Sequence, residues 1–412
     1  MNTHATIDDD MFAADVIADP YTYYGRLREQ DLVHWNDRHK VWVVTSYDEI
    51  AWLTLHPEVF SSSVPQKDPL PPYPPIAPAD QQEFEYVKRQ QSGRLVSADP
   101  PSHRDMRGAL RKFFTPAAME RWRPVVRDAI GGLLDAVEAN GRMDVMADFA
   151  VPLPLQVISE MLDVPVADRA YLRSIAKNLL LGPRVSPNRM REIADAMRAM
   201  NELASPLVEE RIVDPGEDLI SLLAQGEVAG VYTRDEVLQN IAFLVTAGHE
   251  TSINLTANGL VAFAKHPDQW ALLGSDPTRW VDTATEECLR FDPPVTSLER
   301  ITNVPVDLGG KHIEALQRVR WFIASGNRDP NRFVEPDTFD ITRSPNPHLG
   351  FGNGIHLCLG ATLARLEAHE TFEAMAERFG ELTIETEPLE WSQPANLRSL
   401  KALTISWRPK TR

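Results

Sequence analysis

The sequence FGNGIHLCLG, residues 351–360, places three glycines, a histidine and one of the chain's two cysteines within ten positions. The run that follows, ATLARLEAHETFEAMAERF, has the composition and period of a helix, so Cys358 is predicted to lie near a helix start. There the helix dipole and the free backbone N–H groups favour a thiolate. The glycines permit backbone torsions and close approaches that a side chain would block. This setting indicates a reactive sulfur or a metal ligand rather than a packed core thiol.

Several kinds of cysteine site can be weighed from the residues alone. A nucleophilic cysteine needs a base, but the base is usually distant in sequence, so the nearness of His356 decides nothing. A structural zinc site needs about four Cys or His ligands, and the second cysteine, Cys288, lies in a different context. The CxxCH pattern of covalent haem attachment is missing. A single thiolate ligand on a haem iron with its other face open fits the pattern.

Composition narrows the class of protein. The chain has 412 residues and a formal net charge of −17, which argues against general nucleic-acid binding. Its N-terminus lacks the apolar region of a signal peptide, and no apolar run approaches the roughly 18 residues of a membrane helix. Two cysteines cannot form a disulfide framework. A cytoplasmic protein without membrane contact is expected.

Periodicity gives a coarse map of the chain. Residues 33–50 predict a hairpin followed by a helix, with Ser46 and Glu49 in the pattern of a capping box. The proline-rich stretch 61–78 excludes a helix, whereas 79–91 fits a short one. From 101 to about 296 the pattern is mostly helical, and its last helix, longer than 30 residues and apolar, is predicted to be central and buried. Without a repeat or linker, one domain over residues 1–412 is expected.

The motif AGHETS, residues 247–252, lies in the middle of that long helix. Gly248 costs about 1 kcal/mol relative to alanine at such a position, and close helix packing is the usual reason for such a glycine. Glu250 and Thr251 follow, and a buried carboxylate is unfavourable unless it has a partner or a task. The small residues would leave room beside the helix, where the acid and the alcohol could deliver protons to a bound molecule.

Two further patterns are weak when taken alone. EECLR places Glu287 and Arg290 on one helix face, as a surface ion pair or as a buried clamp. PSHRDMR places His103 and Arg107 four residues apart, as a site for anionic oxygens or as a solvated basic face. Three more basic residues of this stretch could dock an acidic partner protein: Arg104, Arg111 and Lys112.

Together and in this order, the motifs resemble those of the cytochrome P450 family in its soluble bacterial form, over essentially the whole chain. The family signature F-G-x-G-x-H-x-C-x-G is filled at every specified position by Phe351, Gly352, Gly354, His356, Cys358 and Gly360. The resemblance implies a mainly α fold with small β-sheets and a single haem domain. Haem b would lie between the long central helix and the helix after the cysteine loop.

The resemblance also implies a role for each matched residue. Cys358 would be the thiolate ligand of the iron. Glu250 and Thr251 would manage protons at bound dioxygen, beside a groove formed by Ala247 and Gly248. The other cofactor-binding positions of the family are matched by His103, Arg107, Arg300, Phe351, Gly352, His356 and Gly360. Glu287 and Arg290 match a structural pair behind the haem, while Cys288 is expected to be a core thiol.

The implied reaction is monooxygenation, the insertion of one oxygen atom from O2 into a small hydrophobic molecule by hydroxylation or oxidative dealkylation. Because the sequence carries no flavin or nicotinamide fingerprint, electrons from NAD(P)H would arrive through a ferredoxin and a ferredoxin reductase. A monomer is expected. The alternatives are a peroxide-using or rearranging haem-thiolate enzyme and, less favoured, a haem sensor. The acid–alcohol pair Glu250–Thr251 argues against them.

The substrate pocket is predicted by analogy to draw on residues 62–96, 178–185, 243–247 and 295–298. These stretches are largely apolar, with Tyr73, Phe84 and Tyr86 available, which favours a hydrophobic substrate. Arg94 could anchor a carboxylate, although a solvent-facing arginine is the favoured interpretation.

Three departures from the family pattern carry expectations. The acid before Thr251 is glutamate where many bacterial members have aspartate, and its role should survive. Thr338 stands where many members carry a basic residue, so the Glu287–Arg290 pair is expected to lack its third partner. Glu314 and Leu316 replace a common proline and glycine, so that strand turn is expected to be altered.

Overall fold

A computed structural model describes residues 9–69, 75–179, 189–392 and 396–410. The fold is mainly helical with small β-sheets, as the sequence predicted. The helices are α1 (Ala14–Ala18), α2 (Pro20–Gln30), α3 (Tyr47–Leu55), α4 (Val64–Lys67), α5 (Gln81–Ser92), α6 (Ser102–Arg111), α7 (Pro116–Glu120), α8 (Arg123–Glu138), α9 (Pro152–Met161), α10 (Val166–Leu179), α11 (Met190–Val213), α12 (Leu219–Val228), α13 (Arg234–Lys265), α14 (Pro267–Ser275), α15 (Pro277–Phe291), α16 (Ile323–Gly326) and α17 (Ala361–Arg378). In these described ranges, none of the helices combines the length and the apolar character needed to cross a bilayer.

The strands form small sheets at the edges of the helical body. They are β1 (Val33–Asn36), β2 (Val41–Val44), β3 (Phe60–Ser61), β4 (Arg142–Asp144), β5 (Ser297–Thr302), β6 (Val306–Leu308), β7 (Lys311–Ile313), β8 (Arg318–Phe322), β9 (Phe379–Ile384), β10 (Trp391–Ser392), β11 (Ser399–Leu400) and β12 (Thr404–Pro409). The largest sheet has the order β1-β2-β8-β5-β3, in which only β2 and β8 pair in parallel. In this sheet β5, which carries Arg300, pairs with β8 on one side and β3 on the other.

Helix α13 runs through the main hydrophobic core for 32 residues. Its start is set by a complete capping box, in which the side chains of Thr233 and Glu236 each bond to the other's backbone. Close packing against α17 occurs at Gly259, where an added Cβ would lie 2.6 Å from Phe372 Cζ. At Gly248 the nearest atom would be Ile158 Cδ1 at 3.5 Å, an ordinary contact. Tight packing therefore explains Gly259 and not Gly248.

The N-terminal region confirms some expectations and corrects others. The predicted hairpin is β1–β2, and α5 is the predicted short helix. The capping box of α3 is wrong, because the Ser46 hydroxyl bonds to the Glu49 carboxylate and caps no backbone N–H. The proline-rich stretch does contain a helical turn, α4, because Pro65 lies in its first turn, where its missing N–H costs nothing.

Glu287 and Arg290 form a buried clamp rather than a surface pair. Neither side chain is accessible, and Arg290 Nη2 lies 2.7 Å from Glu287 Oε1. Arg290 also donates to the carbonyls of Asn327, Pro336 and Thr338 at 2.7–3.0 Å. The expectation that a third partner is lacking is wrong, because Arg343 Nε lies 3.2 Å from Glu287 Oε2. The clamp fixes the coil that leads into the cysteine loop.

The turn between β7 and β8 places Leu316 in an unfavourable backbone conformation. Leu316 adopts φ +60°, a left-handed conformation that suits glycine and is unfavourable for leucine. Its backbone N–H still donates to Thr302 O at 2.8 Å. The turn is therefore kept, with strain at one exposed residue.

Candidate active site

The cysteine loop contains two glycines at positions that other residues would not tolerate. Gly352 and Gly354 adopt φ +71° and +68°. An added Cβ on Gly354 would lie 2.3 Å from Thr54 O, so no other residue fits beneath α3. The loop closes where the Cys358 N–H donates to Phe351 O at 2.9 Å. Cys358 is thereby held three residues before α17, as the sequence predicted.

The Cys358 sulfur borders open space inside the protein. The residue is exposed, yet burial raises the pKa of its thiol above the ordinary value. The backbone N–H of Gly360 and the guanidinium groups of Arg107 and Arg365 lower that pKa, and burial outweighs them. Since a bound metal stabilises the thiolate of its cysteine ligand, the sulfur suits a ligand facing a cleft. Cys288, by contrast, is a buried core thiol.

One face of α13 borders accessible space although most of the helix is buried. From Ile241 onward its part-accessible positions are Phe243, Ala247, Gly248, Glu250, Thr251, Ser252 and Ala264. All but the last fall within three turns, with the i, i+4, i+7 spacing of one helix face. Most of AGHETS is therefore not fully covered by protein, and Gly248 adds no side chain to this accessible face.

Glu250 and Thr251, the acid and the alcohol of AGHETS, have different surroundings. The Thr251 hydroxyl donates to Ala247 O at 2.7 Å. Burial raises the pKa of Glu250 to about 7. The Nδ1 of His249 lies 3.8 Å from Glu250 Oε1, but burial lowers the pKa of that imidazole to about 4, so it carries no charge near neutral pH. Glu250 can therefore exchange a proton near neutral pH.

A second buried acid joins α13 to α17. The Ser252 hydroxyl donates to Glu367 at 2.6 Å, and burial raises the pKa of Glu367 to about 7. This contact sets the two helices side by side just beyond the open face of α13. Sequence reasoning missed Glu367, because an acid in an amphipathic helix looks like any surface residue until its neighbours are known.

Two histidines meet at the edge of the same cleft. The rings of His103, on α6, and His356, in the cysteine loop, lie with their centroids 4.2 Å apart. His103 Nε2 is buried without a hydrogen-bond partner. His356 Nε2 lies 2.8 Å from the Ser62 hydroxyl, a partner that the sequence did not reveal. Burial, helped by Arg300 and His103, lowers the pKa of His356 to about 3.

Arg107 and Arg300 lie near these two histidines, and the four residues are called the basic cluster here. Arg107 donates to Leu357 O at 2.6 Å, directly beside Cys358. Burial lowers the pKa of Arg300 to about 10, partly offset by Asp99. Within the described ranges, neither arginine forms an ion pair with a carboxylate. Two arginines and two histidines, one with an unpartnered ring nitrogen, therefore suit a ligand that carries its own carboxylates, as haem does with its two propionates.

Comparisons with known proteins identify this arrangement. The cytochrome P450 family model matches residues 279–404. The monooxygenase PikC of Streptomyces venezuelae is 38% identical over 96% of this chain and 92% of its own length. The biotin biosynthesis cytochrome P450 of Bacillus subtilis is 30% identical over 98% and 100% of the two chains. The crystal structure of CalO2, 28% identical, superposes with a TM-score of 0.87 over 98% and 99%. The chain belongs to the cytochrome P450 family.

Family membership supplies the activity. This cytochrome P450 is a haem-thiolate monooxygenase, an oxidoreductase that incorporates oxygen from O2 into a small molecule. The family uses haem and O2 and takes its electrons from redox partners. The site residues described above fit that cofactor, since the cleft offers one thiol and two arginines that form no ion pair with a carboxylate among the described residues.

The substrate side of the P450 cleft differs in part from expectation. Tyr73 and residues 180–185 of the predicted pocket lie outside the described residues. Tyr86 is part-accessible, and the Arg198 guanidinium lies 4.6 Å from the centre of its ring. The solvent-facing interpretation of Arg94 is wrong, because its Nε is buried without a partner. Val295 and Leu298 are part-accessible beside buried Thr296 and Ser297.

Proposed function

We propose that Cys358 is the single protein ligand of the haem iron and that the basic cluster holds the haem propionates. The main supporting observation is that Cys358 is exposed beside Arg107 and Arg300, which form no ion pair with a carboxylate among the described residues. Ala247 and Gly248 would leave the space in which O2 sits. Bound haem supplies the chemistry that splits O2 and transfers one oxygen atom to the substrate. The proposed cofactor-binding set is His103, Arg107, Ala247, Gly248, Arg300, Phe351, Gly352, His356, Cys358 and Gly360.

Glu250 and Thr251 are proposed as the proton-handling residues. A carboxyl with a pKa of about 7 is close to the value at which a group both gives and regains a proton. Thr251 follows Glu250 on the same accessible stretch of α13, and while its hydroxyl donates to Ala247 O at 2.7 Å its oxygen can still accept a hydrogen bond from the cleft. This pair supports O2-dependent monooxygenation over peroxide use, rearrangement or sensing, which do not need proton delivery.

Electrons are proposed to come from NAD(P)H through a ferredoxin reductase and a ferredoxin that docks on α6. Arg104, Arg111 and Lys112 are exposed on or next to this helix, and Arg107 of the same helix bonds to the cysteine loop. An acidic partner bound there would lie close to the sulfur side of the haem. We also propose that residues 1–412 form one haem domain that acts as a cytoplasmic monomer.

The visible spectrum of the reduced protein with carbon monoxide tests the ligand assignment. The purified wild-type protein is expected to give the strongly red-shifted Soret band of thiolate-ligated haem. The Cys358→Ser variant should lose that band, while Cys288→Ser should keep it. An unchanged spectrum in Cys358→Ser would overturn the assignment.

A further inference from the structure

Arg94 lies in a short link that is fixed to the central helix. The link joins α5 to the 3₁₀ turn Leu95–Ser97. The N–H groups of Gly93 and Leu95 each donate at 2.8 Å, to the side-chain oxygens of Gln239 and Asn240. Asn240 Nδ2 returns a bond of 3.0 Å to Gly93 O. The backbone on both sides of Arg94 is therefore held against α13.

The Arg94 side chain itself has no partner. Its Nε is buried and makes no hydrogen bond, and among the described residues no carboxylate pairs with the guanidinium. Burial alone lowers its pKa to about 10, with no carboxylate near enough to offset the effect. The residue is nevertheless only part-buried. The guanidinium therefore borders a space that protein encloses.

Other arginines near this segment show what an ordinary environment is like. Arg89, one turn before the end of α5, is exposed and lies over the Tyr86 ring at 5.4 Å. Arg198 pairs with Glu83 and with Asp195. Arg94 differs from both, because it is less accessible than Arg89 and, unlike Arg198, has no acid beside it.

An enclosed arginine without a partner is unfavourable. The guanidinium stays charged in proteins, so it cannot relieve the cost of burial by losing its proton. A bound anion would repay that cost through charge-assisted hydrogen bonds. The planar fork of an arginine matches a carboxylate, and a lone cation matches a ligand with one negative charge.

The position of Arg94 relates it to the cavity. Asn240 precedes Ala247 by seven residues on α13, which corresponds to about 10 Å along the helix axis. Phe243, Ala247 and Gly248 lie along the accessible face that starts just beyond Asn240. An anion held by Arg94 would sit at the far end of that face from Glu250 and Thr251.

We propose that Arg94 binds the carboxylate of the substrate and that the substrate is an apolar monocarboxylic acid. This inference rests on the proposed function, since it places the carboxylate at one end of the same cleft. The rest of the molecule lies along the apolar face of α13 toward Ala247. Oxidation is then expected at a carbon remote from the carboxylate.

The test compares isosteric probes in purified holoenzyme. Dodecanoate, 1-dodecanol and methyl dodecanoate are titrated by calorimetry and by the change in haem spin state, so that binding is detected with or without a spectral shift. The variants are Arg94→Gln and Arg94→Lys, with Arg89→Gln as the matched control on the exposed neighbour. Arg94→Gln should weaken dodecanoate binding about 10- to 100-fold and leave the two neutral probes unchanged. Arg94→Lys should be intermediate, and Arg89→Gln should match the wild type.

Three results would overturn the proposal. They are a wild type that binds dodecanoate no more tightly than its neutral isosteres, an Arg94→Gln variant with unchanged dodecanoate affinity, and an equal loss of all three probes. An equal loss of affinity for all three probes would indicate a structural role for Arg94. A wild type that binds methyl dodecanoate best would indicate a substrate presented as an ester.

A ligand-free measurement provides an independent readout. Arg94→Met removes an unpaired enclosed charge, so the melting temperature of the substrate-free holoenzyme should rise, whereas Arg89→Met should leave it unchanged. A fall in Arg94→Met would show that Arg94 stabilises the fold and would overturn the proposal. The reduced carbon monoxide spectrum distinguishes a failure of the haem assignment from a failure of the Arg94 proposal. Absence of the red-shifted Soret band in the wild type would refute the haem assignment and would not bear on Arg94.

Discussion

Arg343 Nε lies 3.2 Å from Glu287 Oε2, so two arginines share one fully buried carboxylate. The same carboxylate accepts the backbone N–H of Asp340 at 2.9 Å and the side-chain amide of Asn346 at 3.1 Å. The bonds of Glu287 and Arg290 to Pro336, Thr338, Asp340, Arg343 and Asn346 tie α15 to the coil before the cysteine loop. The integrity of this clamp therefore controls how firmly Cys358 is held.

Arg343→Met should lower the free energy of unfolding by about 2 kcal/mol, because Glu287 would lose a buried charged partner. Thermal melting of the holoenzyme measures the effect. Arg332→Met, which removes an exposed arginine from the same coil, is the control and should melt like the wild type. Equal melting of both variants would show that Arg343 adds nothing to the clamp.

The clamp also shows which structural features could not be predicted from the sequence. The long helix α13 and the turn at Cys358 follow from local period and glycine placement, so they could be predicted. The third partner of the clamp was expected at position 338, but Arg343, five residues later, takes that role. It lies in a coil whose path no periodic sequence pattern predicts. The burial of Arg94 likewise depends on contacts with Gln239 and Asn240, which are distant in sequence.

Leu316→Gly should stabilise the protein by about 1 kcal/mol, since it relieves a left-handed residue at φ +60°. Leu316 is 49% exposed, so little packing is lost. Leu316→Ala is the control, because alanine keeps the backbone strain and should give no gain. A lower melting temperature for the glycine variant than for the alanine variant would contradict this account.

Charge reversal of Arg111 and Lys112 should slow reduction by an acidic ferredoxin on the order of tenfold at low ionic strength. The difference from the wild type should shrink as salt screens the charges. Stopped-flow reduction at several salt concentrations measures both effects. Arg408→Glu, at an 83% exposed side chain on β12, should reduce at the wild-type rate; equal slowing there would point to overall charge instead of a docking face.

Thr251→Ala should retain haem and substrate binding while product formation per electron falls on the order of 10²-fold, with peroxide released instead. Thr246→Ala is the matched control, because Thr246 lies on the same helix and its hydroxyl also bonds to the helix backbone, at Phe243 O. Parallel assays of NAD(P)H consumption, peroxide and product distinguish the two. Coupled turnover in Thr251→Ala would refute its role in proton handling.

The pH dependence of stability reports on Glu250. Burial raises its pKa from 4.5 to about 7, so between these values the folded protein keeps a proton that the unfolded chain has released. Stability contributed by the neutral carboxyl is therefore lost as pH rises through this window, by up to about 3 kcal/mol. His249 stays neutral there, because its pKa is lowered to about 4.

Glu250→Gln should remove that loss, so the melting temperature of the wild type should fall relative to the variant between pH 5 and pH 7. Below pH 4.5 the two should converge, since Glu250 is then protonated in most folded and most unfolded molecules. Glu377→Gln, which removes an exposed carboxylate, is the control and should track the wild type across the range. A Glu250→Gln profile parallel to that of the wild type would mean that Glu250 ionises freely, and the proton-delivery role built on its burial would lose its physical basis.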